Sequence, residues 1–312
     1  MLEHRKLQIT GGATYTISLP RQWVIKNKLK KGSELTVIDL TTNDLLIRTH
    51  TQKDERTATL DISGEEDAGY IIRRFITKYI QGYTTIAFIA NPKITPTARK
   101  ILKETAVLLI GLELYDDSAT EVTFRVLLRE DISVDESVSQ MADLCFSSVE
   151  EVGEFLSNPS SDVASNVAQR EVEVDKFYFL VLRQLATTAG IPNTTWIRAA
   201  TAIERAHDQI ERIVKLASDV DKTALRKNQR IKDAYGRLRR LYSDASDSLK
   251  RVDAVKANRV VEEVTAFEQS QSKQLDEIIK QKEDPRSILI YDGFYRLAAH
   301  ISDVGEAVVN LT

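Results

Sequence analysis

Cysteine is almost absent. Cys145 is the single one among 312 residues, so no disulfide can close within the chain. That absence fits a reducing compartment, and the expectation is a cytoplasmic protein. Cys145 itself lies in an apolar helical run, which predicts a buried, reduced thiol. No stretch approaches 18 consecutive apolar residues, so no membrane insertion is expected. The opening MLEHRKLQITGG lacks the apolar centre of a secretory signal. Residues 51–130 contain no glycine-rich phosphate loop, no Cys/His cluster and no Ser/His/Asp set. What remains is an ordinary soluble composition, 42% hydrophobic and 29% charged, enough for two or three domains.

Charge is unevenly spread. Residues 1–31 hold Arg5, Lys6, Arg21, Lys26, Lys28, Lys30 and Lys31 against Glu3 alone, a net of +6. The whole chain is −3, so the other 281 residues carry −9. A basic block on an acidic chain points to a polyanion partner for that block; a merely soluble surface is the plainer alternative. The local pattern is β: residues 5–10 and 13–19 alternate around Gly11-Gly12, a helix is expected over 22–29 after Pro20, and a second hairpin over 34–39 and 45–48 turns at Thr42-Asn43-Asp44. Fifty such residues bury too little surface to stand alone comfortably, which a partner chain would solve.

Residues 57–62, 84–90, 112–115 and 121–128 read as strands, and 65–81 and 97–109 as helices, giving a small α/β module over 51–130. From Asp131 on, six helical segments follow: 134–156, 161–188, 195–220, 223–252, 254–282 and 286–311. Breaks are expected at Asn158-Pro159, Gly190-Ile191-Pro192, 219–221, near Asp253 and at Asp284-Pro285. Such lengths suit antiparallel bundles with short loops. The run 226–240 is rich in Lys and Arg and reads as a solvated helix face or a second polyanion patch.

Two helical segments, 166–185 and 195–216, each carry an acidic i,i+4 pair: Glu171/Asp175 and Glu204/Asp208. At about 100° per residue both pairs sit at the edge of an apolar stripe, Val167/Val174/Val181/Leu185 in one and Ile203/Ala206/Ile210/Ile213 in the other. Glu211 and His207 lie to the same side. Like charges at that spacing repel by a few tenths of a kcal/mol. A solvated face is one reading. Four carboxylates on neighbouring helices gathering a hard cation is the other. A di-iron enzyme needs Glu-x-x-His on two helices, and only Glu204/His207 fits, so no enzymatic activity is expected. His207 and His300, on helix flanks, read as surface or capped residues. Aligning 166 with 258 and 208 with 303 suggests an internal repeat whose second half keeps only Glu263 and Asp303, with His300 nearby.

Arg170-Glu171-x-x-x-Asp175-Lys176-Phe177-Tyr178 followed by Glu204-Arg205-Ala206-His207-Asp208 resembles the signature of the PhoU phosphate-uptake regulators. That resemblance implies that Glu171, Asp175, Glu204 and Asp208 are ligands of a metal, divalent or iron-type, in the first bundle, with a degraded or absent site in the second. The run RKLQITGGATYTISLPRQWVIKNKLKKGSELTVI resembles the AbrB/SpoVT (MazE-like) swapped-hairpin domain. It implies an interleaved homodimer that binds DNA, with Arg5, Lys6 and Arg21 as first contacts and Lys26, Lys28 and Lys31 as outer phosphate contacts. Together the chain is similar to archaeal proteins that join an AbrB-like head to a PhoU-like tail. The fold expected is therefore multi-domain: an all-β swapped-hairpin head (1–50), a small α/β linker module (51–130), and an all-α pair of three-helix bundles (131–221 and 222–312). The function implied is a DNA-binding transcription regulator in phosphate homeostasis. The alternative is a protein-interaction regulator of a phosphate-transporter ATPase or a signalling kinase, with a head that only dimerises it.

Overall fold

The computed structural model describes residues 4–12, 14–39, 45–49, 56–64, 67–127, 132–187, 193–281 and 285–311. The turn expected at 42–44, the break at 190–192 and residue 284 of the last break lie outside them. The chain divides into two compact units, Met1–Asp54 and Glu55–Thr312. A small β region is followed by a mostly helical remainder.

In the first unit, β1 (Gln8–Thr10) pairs antiparallel with β2 (Thr14–Thr16), Ile9 opposite Tyr15. Gly11 and Gly12, at φ 65° and 85°, turn the chain between them with a backbone that side chains resist. Then comes α1 (Arg21–Lys26) and a second hairpin of β3 (Leu35–Asp39) and β4 (Leu45–Thr49). The helix is shorter than the 22–29 span expected. Leu29 N–H reaches back to Val24 O at 3.0 Å, and Lys28 adopts the left-handed conformation (φ 54°), so the helix closes three residues early. No described residue of this unit is buried. Leu7, Ile9, Tyr15, Ile17, Ile25, Val37 and Leu45 are all more than half exposed. An isolated unit with its apolar side chains in water has no core to hold it.

The second unit begins with β5 (Thr57–Asp61), α2 (Ala68–Ile80), β6 (Thr85–Ile89), α3 (Pro96–Val107), β7 (Leu112–Asp117) and β8 (Glu121–Val126). The sheet order is β5-β6-β8-β7, with β5 parallel to β6 and the other pairs antiparallel. Each helix starts on a side-chain cap: Asp67 accepts from Tyr70 N, and Thr95 accepts from Ala98 N just before Pro96. Phe75, Phe88 and Phe124 cluster at centroid distances of 4.7, 4.9 and 6.3 Å and centre the module's core.

Among the described residues seven helices follow: α4 (Val134–Ser157), α5 (Ser161–Thr187), α6 (Asn193–Ser218), α7 (Lys222–Lys227), α8 (Gln229–Arg251), α9 (Ala254–Gln281) and α10 (Pro285–Val309). Six segments were expected; the fourth is split at Asn228. That residue leaves helical geometry (ψ 90°) and its side chain accepts from Ile231 N, capping α8 and ending α7. A capping box of Ser133 and Glu136 opens α4. The helices share one contiguous core from Val134 to Val308, running across α6 against α10. Gly293 makes that crossing possible, because a Cβ there would meet Ile213 Cγ1 at 2.7 Å. Cys145 is fully buried in this core, and burial pushes its thiol up to about 12.

The α/β module is locked to the helices through α5. Phe179 packs into the module's core, and the buried Arg183 donates to Tyr79 O and to Tyr83 O (3.0 Å) at the C-terminal end of α2. A guanidinium at a helix C-terminus meets the orphan carbonyls there with the favourable sign of charge. Leu180, Leu238, Leu241 and Tyr242 are buried, and Tyr178 and Phe179 are half-buried.

Candidate functional site

The acidic site stands on α5 and α6. Val167, Val174 and Val181 turn one face of α5 into the core, and Ile203, Ala206, Ile210 and Ile213 do the same for α6. Glu171, Asp175 and Glu204 are thereby held half-buried at the edge of the seam, while Asp208 and Glu211 are exposed beside it. Burial pushes Glu171 up to about 8, reinforced by a hydrogen bond with Asp208 and by the charges of Asp208 and Glu211. Burial also lifts Glu204 to about 7, with Asp208, Asp175 and Glu171 adding to it. Asp175 rises to about 6 through burial, then through Glu171 and Asp208. These carboxylates therefore behave as one electrostatic group.

His207 is the residue that sequence reasoning misplaced. It is not on a surface flank but 0% exposed, and its ring joins two helices to α6. Nε2 lies 2.8 Å from Ser148 Oγ on α4, and Nδ1 contacts Glu171 Oε2 on α5. Burial drives His207 down to about 4 and lifts Glu171, so both shifts favour the uncharged forms where the two side chains meet. The signal was available: His207 stands four residues after Ile203 and three before Ile210, on the apolar line itself. Ser148 carried no signal, because its partner comes from a helix 59 positions away. The linear order Ser148–His207–Glu171 is that of a nucleophile, base and acid, but Ser148 is 0% exposed, so no substrate reaches it.

The donor set suits a hard cation in its chemistry: several carboxylate oxygens, each raising the others' affinity for protons. Among the described residues, however, no three His, Cys, Asp or Glu side chains converge as a ready-made cage. Glu171, Asp175, Glu204 and Asp208 form an electrostatic cluster spread along the seam.

The pH consequence follows from the directions of these shifts. Glu171, Glu204 and Asp175 have folded values above those of the unfolded chain. Their contribution to stability is present at low pH and is lost as pH rises through about 6, 7 and 8. His207 has the opposite sense, losing stability as pH falls from 6.5 toward about 4. Above pH 6.5 only the carboxylates act. The thermal midpoint of the full chain is therefore expected to fall between about pH 6.5 and 8, and Glu204→Gln to flatten that fall. A pH-independent midpoint in the parent chain would refute the coupling.

The corresponding place in the second half is built differently. Phe267 stands opposite Asp175 in the repeat and is fully buried, with Arg237 over its ring at 5.0 Å. Asp303 and Glu306 are both taken by Arg198, reaching across from α6. His300 Nδ1 lies 3.7 Å from Asp303 Oδ2, and Glu263 is exposed in a groove with Arg237 and Arg240. The basic run 226–240 is partly engaged: Arg226 donates to Asn158, Arg237 to Ser270 and Arg239 to Glu150.

In the first unit, Arg5, Lys6, Arg21, Lys26, Lys28 and Lys31 are all exposed. Arg21 opens α1, Lys26 closes it, and Lys28 sits in its left-handed cap.

Two family models match parts of the chain. Residues 138–219 match the PhoU domain. Residues 8–54 match the family described as antidote-toxin recognition MazE, bacterial antitoxin. The chain thus carries a PhoU-like domain behind a MazE/AbrB-like one. The PhoU-like stretch contains all four acidic residues and His207; the MazE-like stretch contains Arg21, Lys26, Lys28 and Lys31 and begins after Arg5 and Lys6. No curated protein matches the chain. Several solved structures align with it, among them the following two. The phosphate transport system regulatory protein PhoU from Streptococcus pneumoniae aligns at 14% identity, 57% of this chain, 92% of that one and a TM-score of 0.43. PhoU from Pseudomonas aeruginosa aligns at 19% identity, 57% of this chain, 91% of that one and a TM-score of 0.40. No described helix is long and apolar enough to cross a membrane.

Proposed function

We propose that the chain is a dimeric DNA-binding regulator of phosphate homeostasis. Its MazE-like head binds promoter DNA, and its PhoU-like helices sense or relay phosphate status through a partner protein, a transporter ATPase or a signalling kinase. The observation that carries this reading is the first unit itself: exposed cations next to exposed apolar side chains, with no described residue buried. A second copy covers the apolar side chains and leaves the cations for phosphates. On this reading the α5–α6 carboxylates hold a divalent or iron-type cation, which supplies positive charge where Glu171, Asp175, Glu204 and Asp208 crowd one another. The protein's own part is to hold those oxygens beside a buried His207 that cannot move away. Such a cation alters DNA affinity only by binding two dimer arrangements unequally.

The test is DNA binding by the full chain and by residues 55–312, which form a unit with its own core. Promoter fragments of phosphate-transport operons are titrated across salt concentrations. Tight binding with a steep salt slope is expected for the full chain, and none for the shorter one. Equal behaviour of the two would reject the DNA reading and favour a head that only dimerises the protein.

A further inference from the structure

A groove of about 560 Å³ opens between α9 and α10, on helices other than those of the acidic seam. Its walls include Thr265, Glu268, Gln271, Tyr291, Asp292 and Tyr295. The size falls within the range of small-molecule sites, about 300–1,000 Å³, and is far too large for a bare ion.

Among the described residues the charges in its walls are all of one sign. Glu268 and Asp292 supply two carboxylates, and among the described residues neither Lys nor Arg lines the groove. Asp292 is offset by Arg296, whose Nε lies 2.8 Å away. Glu268 has no cation within reach among the described residues, and partial burial alone raises its carboxyl. A carboxylate that has lost water and gained no counter-charge favours an incoming cation. Gln271 is 4% exposed, and its Oε1 has no hydrogen-bond partner among the described residues. Its amide nitrogen reaches only Gln274, at 3.4 Å. An unpartnered carbonyl oxygen lacks an N–H donor. Tyr295, 44% exposed, adds an aromatic ring of the kind that attracts cations at its face.

An anion is repelled here, and a purely apolar ligand leaves both Glu268 and Gln271 unmet. We propose that the α9–α10 groove binds a small organic amine or guanidinium compound, with Glu268 meeting its charge, Gln271 Oε1 accepting an N–H, and Tyr295 lying against the cation. This site is independent of the regulatory reading above.

The test uses the full chain and isothermal titration with two probes, agmatine and spermidine, at fixed ionic strength. One-to-one binding of at least one probe is expected. Glu268→Gln and Tyr295→Ala should each weaken it at least tenfold, whereas Glu104→Gln, a neutralised exposed carboxylate on α3, should not. Both Glu268 and Tyr295 reach the surface, so these variants keep the core, which a thermal melt confirms. The proposal is overturned if neither probe binds at millimolar concentration. It is equally overturned if Glu268→Gln binds as tightly as the parent, since the amine would then be responding only to the chain's overall negative charge or to the α5–α6 carboxylates.

Discussion

Replacing Arg5, Lys6 and Arg21 together by alanine is expected to abolish DNA binding at physiological salt. Each cation that neutralises a phosphate releases a counterion, and the slope of log affinity against log salt changes by about 0.9 per contact. Three residues per chain in a two-fold dimer are six contacts, so the slope should flatten by about five and affinity drop at least about a thousandfold. Alanine at Lys26, Lys28 and Lys31 should cost less and leave the order of preference among DNA sequences unchanged, because outer phosphate contacts carry no sequence information. All six residues are exposed, so these variants remove charge without removing core. Circular dichroism and the oligomeric state should match the parent, and DNA binding at 50–200 mM salt is the readout. If the triple variant binds like the parent throughout, the basic head does not read DNA.

His207→Ala should be the most damaging single change in the helical part. The imidazole is fully buried and bridges α4, α5 and α6. Its removal leaves a cavity that the surrounding helices cannot collapse into fully. It also strips Ser148 Oγ of the imidazole it meets and leaves the Glu171 carboxyl without its contact on α6. An unsatisfied buried polar group costs about 1–3 kcal/mol, and the cavity adds to that, so a loss of about 3–4 kcal/mol is expected. For a unit of this size that corresponds to about 6–16 °C in the melting midpoint. Ser148→Ala should cost less, since only one hydrogen bond is lost and little volume. A His207→Ala midpoint within a degree or two of the parent would show that the bridge does not hold the helices together. The two variants also separate packing from charge, because Ser148→Ala leaves the carboxylate cluster intact.

Much of the architecture was legible in the chain. The four strands and two helices of the α/β module fall within a few residues of their expected spans, since alternating and three-to-four periodicity report which side faces a core. Local chemistry set the stops that sequence reading misjudged. Asn228 had a capping side chain in the middle of an otherwise uninterrupted helical pattern, and Lys28 accepted a left-handed conformation that glycine or asparagine would take more readily. The acidic residues of α5 and α6 were identifiable from spacing, and they do act on one another. Their neighbour His207 was read by residue type rather than by its phase on the helix, and phase was the better guide.

Sequence by itself determined the elements and their polarity: a basic hairpin head without a core, an α/β module, and long amphipathic helices with two carboxylate pairs at the edge of the apolar stripe. These depend on periodicity, on caps and on composition, which are local. Only the tertiary structure decided that Ser148, His207 and Glu171 meet, that Arg198 occupies Asp303 and Glu306 in the second half, and that Arg183 fastens α2 to α5. Each of these joins residues from separate helices, between 36 and 108 positions apart. No local pattern encodes such a contact. It arises when burial of the apolar faces fixes how the helices cross, and the polar groups caught at those crossings must then satisfy one another.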